Sequence, residues 1–208
     1  MISPDDATSS VAILILAAGT SSRMGGGNHK LLSEFDGVPL IRVAAESALR
    51  SMAKSVAIVV GHRQEEMRAA LTALPLQIIE NLEYASGMGS SLAAGVVSVS
   101  AADADGVMIL LADMPRIKPS DIDRLIKIFE GSKPHRIVRA TSNGKPGHPV
   151  ILPSVLYGEL RTLTGDVGAK EIIKASGIAI AEVELGEAAG LDVDTAEAIV
   201  AAGGRVTR

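Results

Sequence analysis

The chain has 208 residues, of which 47% are hydrophobic and 2% aromatic, so its core must be built from aliphatic side chains and methionine. A formal net charge of -4 gives no basic footprint for duplex binding, and the low aromatic content disfavours stacking on single-stranded nucleic acid. The absence of cysteine excludes disulfides, thiolate metal sites and a cysteine nucleophile.

The first ten residues, MISPDDATSS, are polar and acidic and show no apolar period. We therefore expect a flexible tail over residues 1–10 and a single domain over residues 11–208. The tail lacks the positive start of a signal peptide, and the apolar run that follows is too short to cross a bilayer. We expect a cytoplasmic protein that binds neither nucleic acid nor membrane.

Residues 11–32, VAILILAAGTSSRMGGGNHKLL, predict a buried strand that runs into a glycine-rich loop. Gly19 allows the backbone to approach a ligand closely, and successive N–H groups in such a turn can hold an anion. Arg23 and Lys30 add cationic donors suited to phosphate oxygens. The Walker and dinucleotide-binding glycine patterns are both absent, so the loop predicts a phosphate site of another kind. The alternative is a surface loop with two solvated cations.

Downstream, apolar runs alternate with segments of helical period. The predicted strands are residues 55–60, 76–80, 104–112, 137–141, 150–152 and 178–185. The predicted helices are residues 38–52, 64–74, 92–96, 122–129, 167–175 and 196–202, and the serines at 90 and 91 are expected to cap the third of these. Asn143 and Gly144 indicate a hairpin, with the next five residues in a long loop. This order predicts an α/β protein with a mostly parallel sheet and an antiparallel part.

Three carboxylates stand at predicted junctions between strands and helices. Asp113 follows the strand at 104–112, and Asp192 and Asp194 precede the last helix. Each could simply cap a helix. Hard oxygen ligands that converge beside a cationic loop would instead suit Mg²⁺ bound to a nucleotide, at the edge where open α/β sheets bind ligands.

The four histidines do not predict a metal site. His148 lies in the predicted loop after Gly144, where it could contact a substrate or have a structural role. His29, His62 and His135 are predicted to be exposed to solvent, and without a second histidine at ligand spacing we expect no zinc. The absence of a G-x-S-x-G elbow disfavours a hydrolase.

The segment LAAGTSSRMGGGNHKLL, with LLADMP, GHPVIL, TGDVGAKEII and LDVDTAEAI, resembles the MobA-like nucleotidyltransferase family from residue 11 to about residue 202. Ala18 stands where guanylyl-transferring relatives have glycine, and GMGSSL and GHPVIL resemble the MocA branch of molybdenum cofactor cytidylyltransferases. The resemblance implies an α/β, three-layer Rossmann-like nucleotidyltransferase fold, with a mostly parallel sheet and a small antiparallel portion on the substrate side.

The resemblance also implies a Mg²⁺-dependent transfer of CMP from CTP to the phosphate of molybdenum-molybdopterin, with release of pyrophosphate. The residues implied to bind the nucleotide are Leu16, Ala17, Ala18, Gly19, Arg23, Lys30, Ser90 and Asp113. Of these, Arg23, Lys30 and Asp113 would be catalytic. Gly147, His148 and Asp166 would bind the substrate, and Asp113 and Asp194 the metal.

Several alternatives stay open because the loop and carboxylates indicate the nucleotide and not the acceptor. The enzyme could use another NTP, such as GTP, or another acceptor, such as a sugar or alditol phosphate. A protein of another class, a non-catalytic carrier of the molybdenum cofactor, could use the same pocket. A molybdoenzyme or its chaperone is a further partner to consider.

Overall fold

The computed structural model describes residues 10–25, 27–100, 103–132 and 135–207, so all of the expected N-terminal tail except Ser10 lies outside the described residues. Its strands are β1 (Val11–Ala17), β2 (Glu34–Phe35), β3 (Val38–Pro39), β4 (Ser55–Val60), β5 (Gln77–Glu80), β6 (Gly106–Leu111), β7 (Ile137–Ser142), β8 (Lys145–Pro153) and β9 (Ile180–Glu184). Its helices are α1 (Leu40–Leu49), α2 (Gln64–Ala70), α3 (Met88–Ser100), α4 (Pro119–Glu130), α5 (Tyr157–Leu160), α6 (Lys170–Ala175) and α7 (Ala196–Ala201).

Seven of these strands form one sheet in the order β5-β4-β1-β6-β8-β7-β9, and β2 and β3 form a separate antiparallel ribbon. β1 pairs in parallel with β4 and β6, and β4 pairs in parallel with β5. β8 runs antiparallel to β6 and β7, whereas β9 is parallel to β7. The predicted α/β fold with a mostly parallel sheet and an antiparallel portion is therefore confirmed.

Helices cover both faces of the sheet, which explains why β1 is apolar at nearly every position. Ile13 belongs to one buried cluster together with Leu40 of α1 and Leu125 of α4, and Leu14 belongs to a second cluster together with Leu92 of α3. α3 lies close to β1 at Gly95, where an added Cβ would stand 2.3 Å from a methyl carbon of Leu14. Among the described residues, none of the helices is long and apolar enough to cross a membrane.

The hairpin differs from the prediction. β7 and β8 join through a tight turn at Asn143 and Gly144, whose φ angles of 52° and 73° suit a two-residue hairpin. The Glu184 carboxylate accepts both backbone N–H groups of this turn, at 2.8 and 3.1 Å. Residues 145–149 therefore belong to a strand, and the predicted long loop is wrong.

The reason lies in the pairing of β8. β6 pairs with this strand only from Val150 to Pro153. Lys145 and Pro146 pair with β7 alone, and the register of that pairing shifts before Val150. A strand that has one unpaired side can include proline, which lacks an N–H group. Pro146 and Pro149 therefore do not end this strand, although they indicate a loop in the sequence.

Candidate functional site

The glycine-rich loop leaves β1 at the carboxyl edge of the sheet and is anchored by apolar side chains. Met24 and Leu31 are buried at 6% and 2% exposure, within two short 3-10 turns at Ser22–Met24 and Lys30–Leu32. Gly19 and Arg23 lie between buried Ala18 and buried Met24, and both are exposed. The loop thus combines fixed ends with an accessible, cationic surface.

An ionic cluster stands beside the loop. The Lys30 ammonium lies 2.5 Å from Asp113 Oδ2 and 2.6 Å from Asp194 Oδ1, and Arg23 Nη1 lies 2.7 Å from Asp194 Oδ2. The Lys30 and Asp113 side chains are 14% and 15% exposed, whereas Arg23 is 68% exposed. The structure therefore brings together these four residues, which the sequence had singled out at widely separated positions.

Two backbone features place the carboxylates. Asp113 follows β6, and its carbonyl accepts the N–H of buried Val193 at 3.0 Å, which brings the segment before α7 to the end of β6. Thr195 caps α7 by accepting the Ala198 N–H, so the Asp194 carboxylate can face Lys30. Thr195, and not Asp194, therefore caps α7. Asp192 is exposed and forms no ion pair with any of the described residues.

Charge pairing keeps the cluster ionised. Burial alone would lower the pKa of Lys30, but the Asp113 and Asp194 carboxylates outweigh burial and raise it. Burial would raise the pKa of Asp194, yet Lys30 and Arg23 lower it overall. Both groups thus favour their charged forms at neutral pH.

A cavity of about 330 Å³ opens next to the cluster, within the size range of small-molecule sites. The predicted site residues on its wall are Leu16, Ala17, Ala18, Gly19, Lys30, Asp113 and Asp166. Tyr84, Met88 and Ser91 contribute the facing wall. The start of α3 is thus part of the same cavity as the end of β1.

Ser90 is not on the cavity wall. Its hydroxyl oxygen lies 3.0 and 2.9 Å from the carbonyl oxygens of Glu83 and Gly87, either of which can accept its proton, so it is used within the turn that precedes α3 instead of capping the helix. Ser91 lines the cavity in its place. Helical spacing contained this signal, because Ser91 lies three residues after Met88 and four before Gly95, on the face of α3 that packs on β1.

Asp166 reaches the cavity because its loop presses against the start of α3. An added Cβ at Gly87 would lie 2.3 Å from the Gly165 carbonyl carbon and 2.5 Å from Asp166 Oδ1. The Gly89 N–H also donates to the Gly165 carbonyl at 2.8 Å. The glycines of GMGSSL therefore permit a close backbone contact that places Asp166.

Gly147 and His148 lie in β8 and are not among the residues that line the cavity. An added Cβ at Gly147 would stand 2.2 Å from the Ala189 carbonyl oxygen, so this glycine serves packing. His148 is half-buried; burial lowers its pKa, although its contact with the Ile109 backbone and the charges of Asp113 and Asp192 oppose that change. A neutral imidazole next to the ionic cluster is the result.

The three histidines predicted to be exposed, at positions 29, 62 and 135, are instead buried or half-buried. His29 is only 1% exposed, and its Nε2 lies 3.0 Å from the Gly19 carbonyl oxygen. Half-buried His62 stacks on it, with ring centroids 5.6 Å apart. His135 is also half-buried, against the Phe129 ring. The sequence of a glycine-rich loop does not show that one of its polar residues is covered by a segment that is distant in the chain.

Comparison with known proteins gives the family. The family model described as the MobA-like NTP transferase domain matches residues 13–182. The chain belongs to the MobA-like NTP transferase family. As a MobA-like nucleotidyltransferase it is an enzyme that binds an NTP and a phosphorylated acceptor.

Relatives of this MobA-like chain include proteins with different names. Nicotine blue oxidoreductase of Paenarthrobacter nicotinovorans is 30% identical, over 88% of this chain and 92% of that protein. The purine catabolism protein PucB of Bacillus subtilis is 28% identical, over 88% and 91%. The match to the family model confirms the resemblance to MobA-like nucleotidyltransferases that was drawn from the sequence.

Solved structures share the MobA-like fold. The homologue of Mycobacterium tuberculosis Rv0371c from Mycobacterium sp. strain JC1 superposes with a TM-score of 0.78 at 25% identity, covering 93% of this chain and 95% of that one. Rv0371c of Mycobacterium tuberculosis, solved in complex with manganese, gives a TM-score of 0.77 at 21% identity, covering 93% and 97%.

The donor set in the MobA-like site fits a divalent metal that arrives with the nucleotide. Asp113 Oδ1 is buried and has no hydrogen-bond partner among the described residues. The same residues contain no group of three or more histidines or carboxylates arranged to hold a metal. Two carboxylates with phosphate and water as the remaining ligands is a common arrangement for Mg²⁺.

Proposed function

We propose that this protein is a cytoplasmic, Mg²⁺-dependent cytidylyltransferase that joins CMP from CTP to the phosphate of molybdenum-molybdopterin. The products would be molybdopterin cytosine dinucleotide and pyrophosphate, and a molybdoenzyme or its chaperone would receive the dinucleotide. The observation that carries the proposal is the Lys30 ammonium, held between Asp113 and Asp194 at the edge of the cavity. Such a cluster suits a metal-bound polyphosphate.

Asp113 and Asp194 would hold the metal. The unpartnered, buried Oδ1 of Asp113 supports this role, as does the manganese bound in the structure of Mycobacterium tuberculosis Rv0371c. When bound, the metal would neutralise phosphate charge and polarise the α-phosphate. The choice of Mg²⁺ over another divalent ion is part of the proposal.

The reaction asks the protein mainly to align two polyanions. An oxygen of the acceptor phosphate attacks the α-phosphorus and forms a new P–O bond, while the bond to the bridging oxygen breaks and its electron pair leaves with pyrophosphate. Lys30 and exposed Arg23 would stabilise the charge that develops on the leaving group. The transfer needs no covalent intermediate on the chain.

The base and the acceptor rest on separate features. Ala18 lies on the cavity wall, is 5% exposed and carries a methyl group where guanylyl-transferring relatives have glycine. This methyl group would narrow the cavity and so favour cytosine over the larger guanine. The acceptor would be contacted by Asp166 on the same wall and by Gly147 and His148 of β8, close to the hairpin turn in sequence.

The proposal predicts that Asp113→Ala leaves a folded protein that has lost at least about a hundredfold in Mg²⁺-dependent pyrophosphate release. The physical reason is loss of a metal ligand and of one partner of Lys30. Glu159→Ala in α5 is the control, because this carboxylate is exposed, forms no ion pair with the described residues and lies outside the cavity wall. Turnover of the Asp113 variant near the wild-type rate, in a protein with an unchanged circular dichroism spectrum, would refute the assignment.

A second activity is favoured by one observation, the 30% identity to nicotine blue oxidoreductase over 92% of that protein. An oxidoreductase could use the same cavity, although the glycine pattern typical of dinucleotide-binding loops is absent from the sequence. The two activities separate cleanly, since the redox reaction would consume NADH or NADPH without releasing pyrophosphate, and the transferase would do the reverse.

A further inference from the structure

The imidazole of His29 connects the two ends of the glycine-rich loop. Its Nε2 lies 3.0 Å from the Gly19 carbonyl oxygen, and its Nδ1 lies 3.3 Å from the Leu31 backbone nitrogen. Ser21 Oγ lies 3.3 Å from the ring and accepts the Lys30 N–H at the same distance. One buried side chain thus sets the spacing between Gly19 and Lys30, which both line the cavity.

The partners of the ring define its protonation state. The Gly19 carbonyl can only accept, so Nε2 must carry the proton, whereas the Leu31 N–H can only donate, so Nδ1 must be free. Burial lowers the pKa of His29 to about 4, although the Gly19 carbonyl opposes that change. The ring is therefore neutral and correctly protonated for both contacts at physiological pH.

The segment after β4 supports this ring from outside the loop. His62 stacks on His29 at an interplanar angle of 20°, and the Tyr84 ring lies 6.0 Å from His62. Gly61 makes room for this stack, since an added Cβ would stand 2.5 Å from Tyr84 Cβ. Arg63 Nη1 donates to the Gly27 carbonyl at 2.9 Å, which fixes the middle of the loop.

We propose that His29 is a positioning residue that holds the glycine-rich loop in its nucleotide-binding shape, with His62 as the support that keeps the His29 ring in place. The inference rests on the proposed function in one respect, that the ligand of the loop is an NTP. A loop held in shape before the ligand arrives loses little conformational freedom on binding, so the bracing raises affinity without touching the nucleotide.

Two substitutions at this position separate the contacts of the ring. His29→Asn keeps an acceptor for the Leu31 N–H but cannot reach the Gly19 carbonyl, while His29→Gln keeps a donor at the reach of Nε2. His135→Asn is the matched control, because His135 also stacks on a ring and has a ring nitrogen 3.2 Å from a backbone carbonyl, that of Phe129. This control lies outside the cavity wall and the loop.

The test measures amide hydrogen exchange in the ligand-free protein and the affinity for CTP with Mg²⁺ by calorimetry. For His29→Asn we expect about tenfold faster exchange in residues 19–32 and about tenfold weaker CTP binding, the usual effect of losing one buried hydrogen bond. We expect unchanged exchange in β1 and β6, and values near wild type for His29→Gln and His135→Asn.

Wild-type loop exchange and CTP affinity in His29→Asn would overturn the inference, and so would faster exchange spread evenly over the whole sheet, which is the mark of a purely structural role. If His29→Asn does not fold, His62→Ala decides, since it removes only the stacked ring: faster loop exchange supports the inference and unchanged exchange overturns it. Failure of the proposed function is a different result, the absence of pyrophosphate release by the wild type with every NTP. Amide exchange in the ligand-free loop is measured without any NTP, so it tests the role of His29 independently of that result.

Discussion

The Lys30 ammonium keeps together two carboxylates that would otherwise repel each other. It contacts both Asp113 and Asp194 while all three side chains are at most 20% exposed. In such surroundings an unpaired charge is costly, so removal of one partner affects those that remain. Lys30 therefore has a structural role in addition to the proposed contact with phosphate.

We predict that Lys30→Met lowers the free energy of unfolding at pH 7 by about 2 to 3 kcal/mol and abolishes NTP binding. Asp194 has a lowered pKa, so its contribution is present above its unfolded pKa of 3.8 and is lost as the pH falls further. The raised pKa of Lys30 means that its contribution is lost only as the pH rises above 10.5. The difference in free energy of unfolding between the wild type and Lys30→Met should therefore become smaller below pH 3.8.

Urea denaturation across this pH range measures the effect, with Lys30→Arg as the control that restores the charge. An equal loss of stability in Lys30→Met at low and neutral pH would show that packing, and not charge, accounts for the change.

For individual residues, the sequence was informative where the chemistry of the site requires a charged side chain. Arg23, Lys30, Asp113 and Asp194 stand in motifs, and the structure brings them together. His29 could not be found in this way, because its burial depends on His62 from another strand end. The difference between Ser90 and Ser91 required the helical face of α3, which begins four residues earlier than the predicted apolar period.

Helix α3 links the core to the cavity. Its first turn supplies Met88 and Ser91 to the cavity wall, and Gly95 farther along allows contact with Leu14 of β1. Any side chain at Gly95 would push the helix away from the strand, and the first turn would move with it. The contact between α3 and β1 therefore affects the shape of the cavity.

We predict that Gly95→Ala destabilises the protein by about 1 to 3 kcal/mol, because the new methyl group would overlap the Leu14 side chain. Gly158→Ala in α5 is the matched control: its added Cβ meets nothing within 4 Å, so it should be neutral or stabilise by up to about 1 kcal/mol. Thermal unfolding of the two variants checks this. A Gly95 variant as stable as the Gly158 variant would show that α3 can shift without cost.

Strand prediction succeeded where a buried apolar run has helices on both sides. β1 begins at the predicted residue and β4 has the predicted bounds, whereas β6 begins two residues later and ends one residue earlier than predicted. Prediction failed at β8, where two prolines and Gly147 indicate a loop locally but pairing with β7 decides. Local propensity is overridden there by a partner strand, which one segment of sequence does not contain.

At the scale of the whole molecule, the order of strands assembles the site. β1 and β6 are neighbouring parallel strands near the centre of the sheet, so the loop after β1 and Asp113 after β6 share one edge of the sheet. The contact of Val193 with Asp113 brings Asp194 to the same edge. The single domain over residues 11–208 and the tail before it stay predictions.

Pyrophosphate release tests the central claim most directly. It is measured with each of the four NTPs and Mg²⁺, in the presence and absence of molybdenum-loaded molybdopterin. We predict release with CTP that depends on both the metal and the acceptor, with little release from ATP, GTP or UTP. Release with GTP alone would overturn the choice of base, and no release with any NTP would contradict the transferase itself.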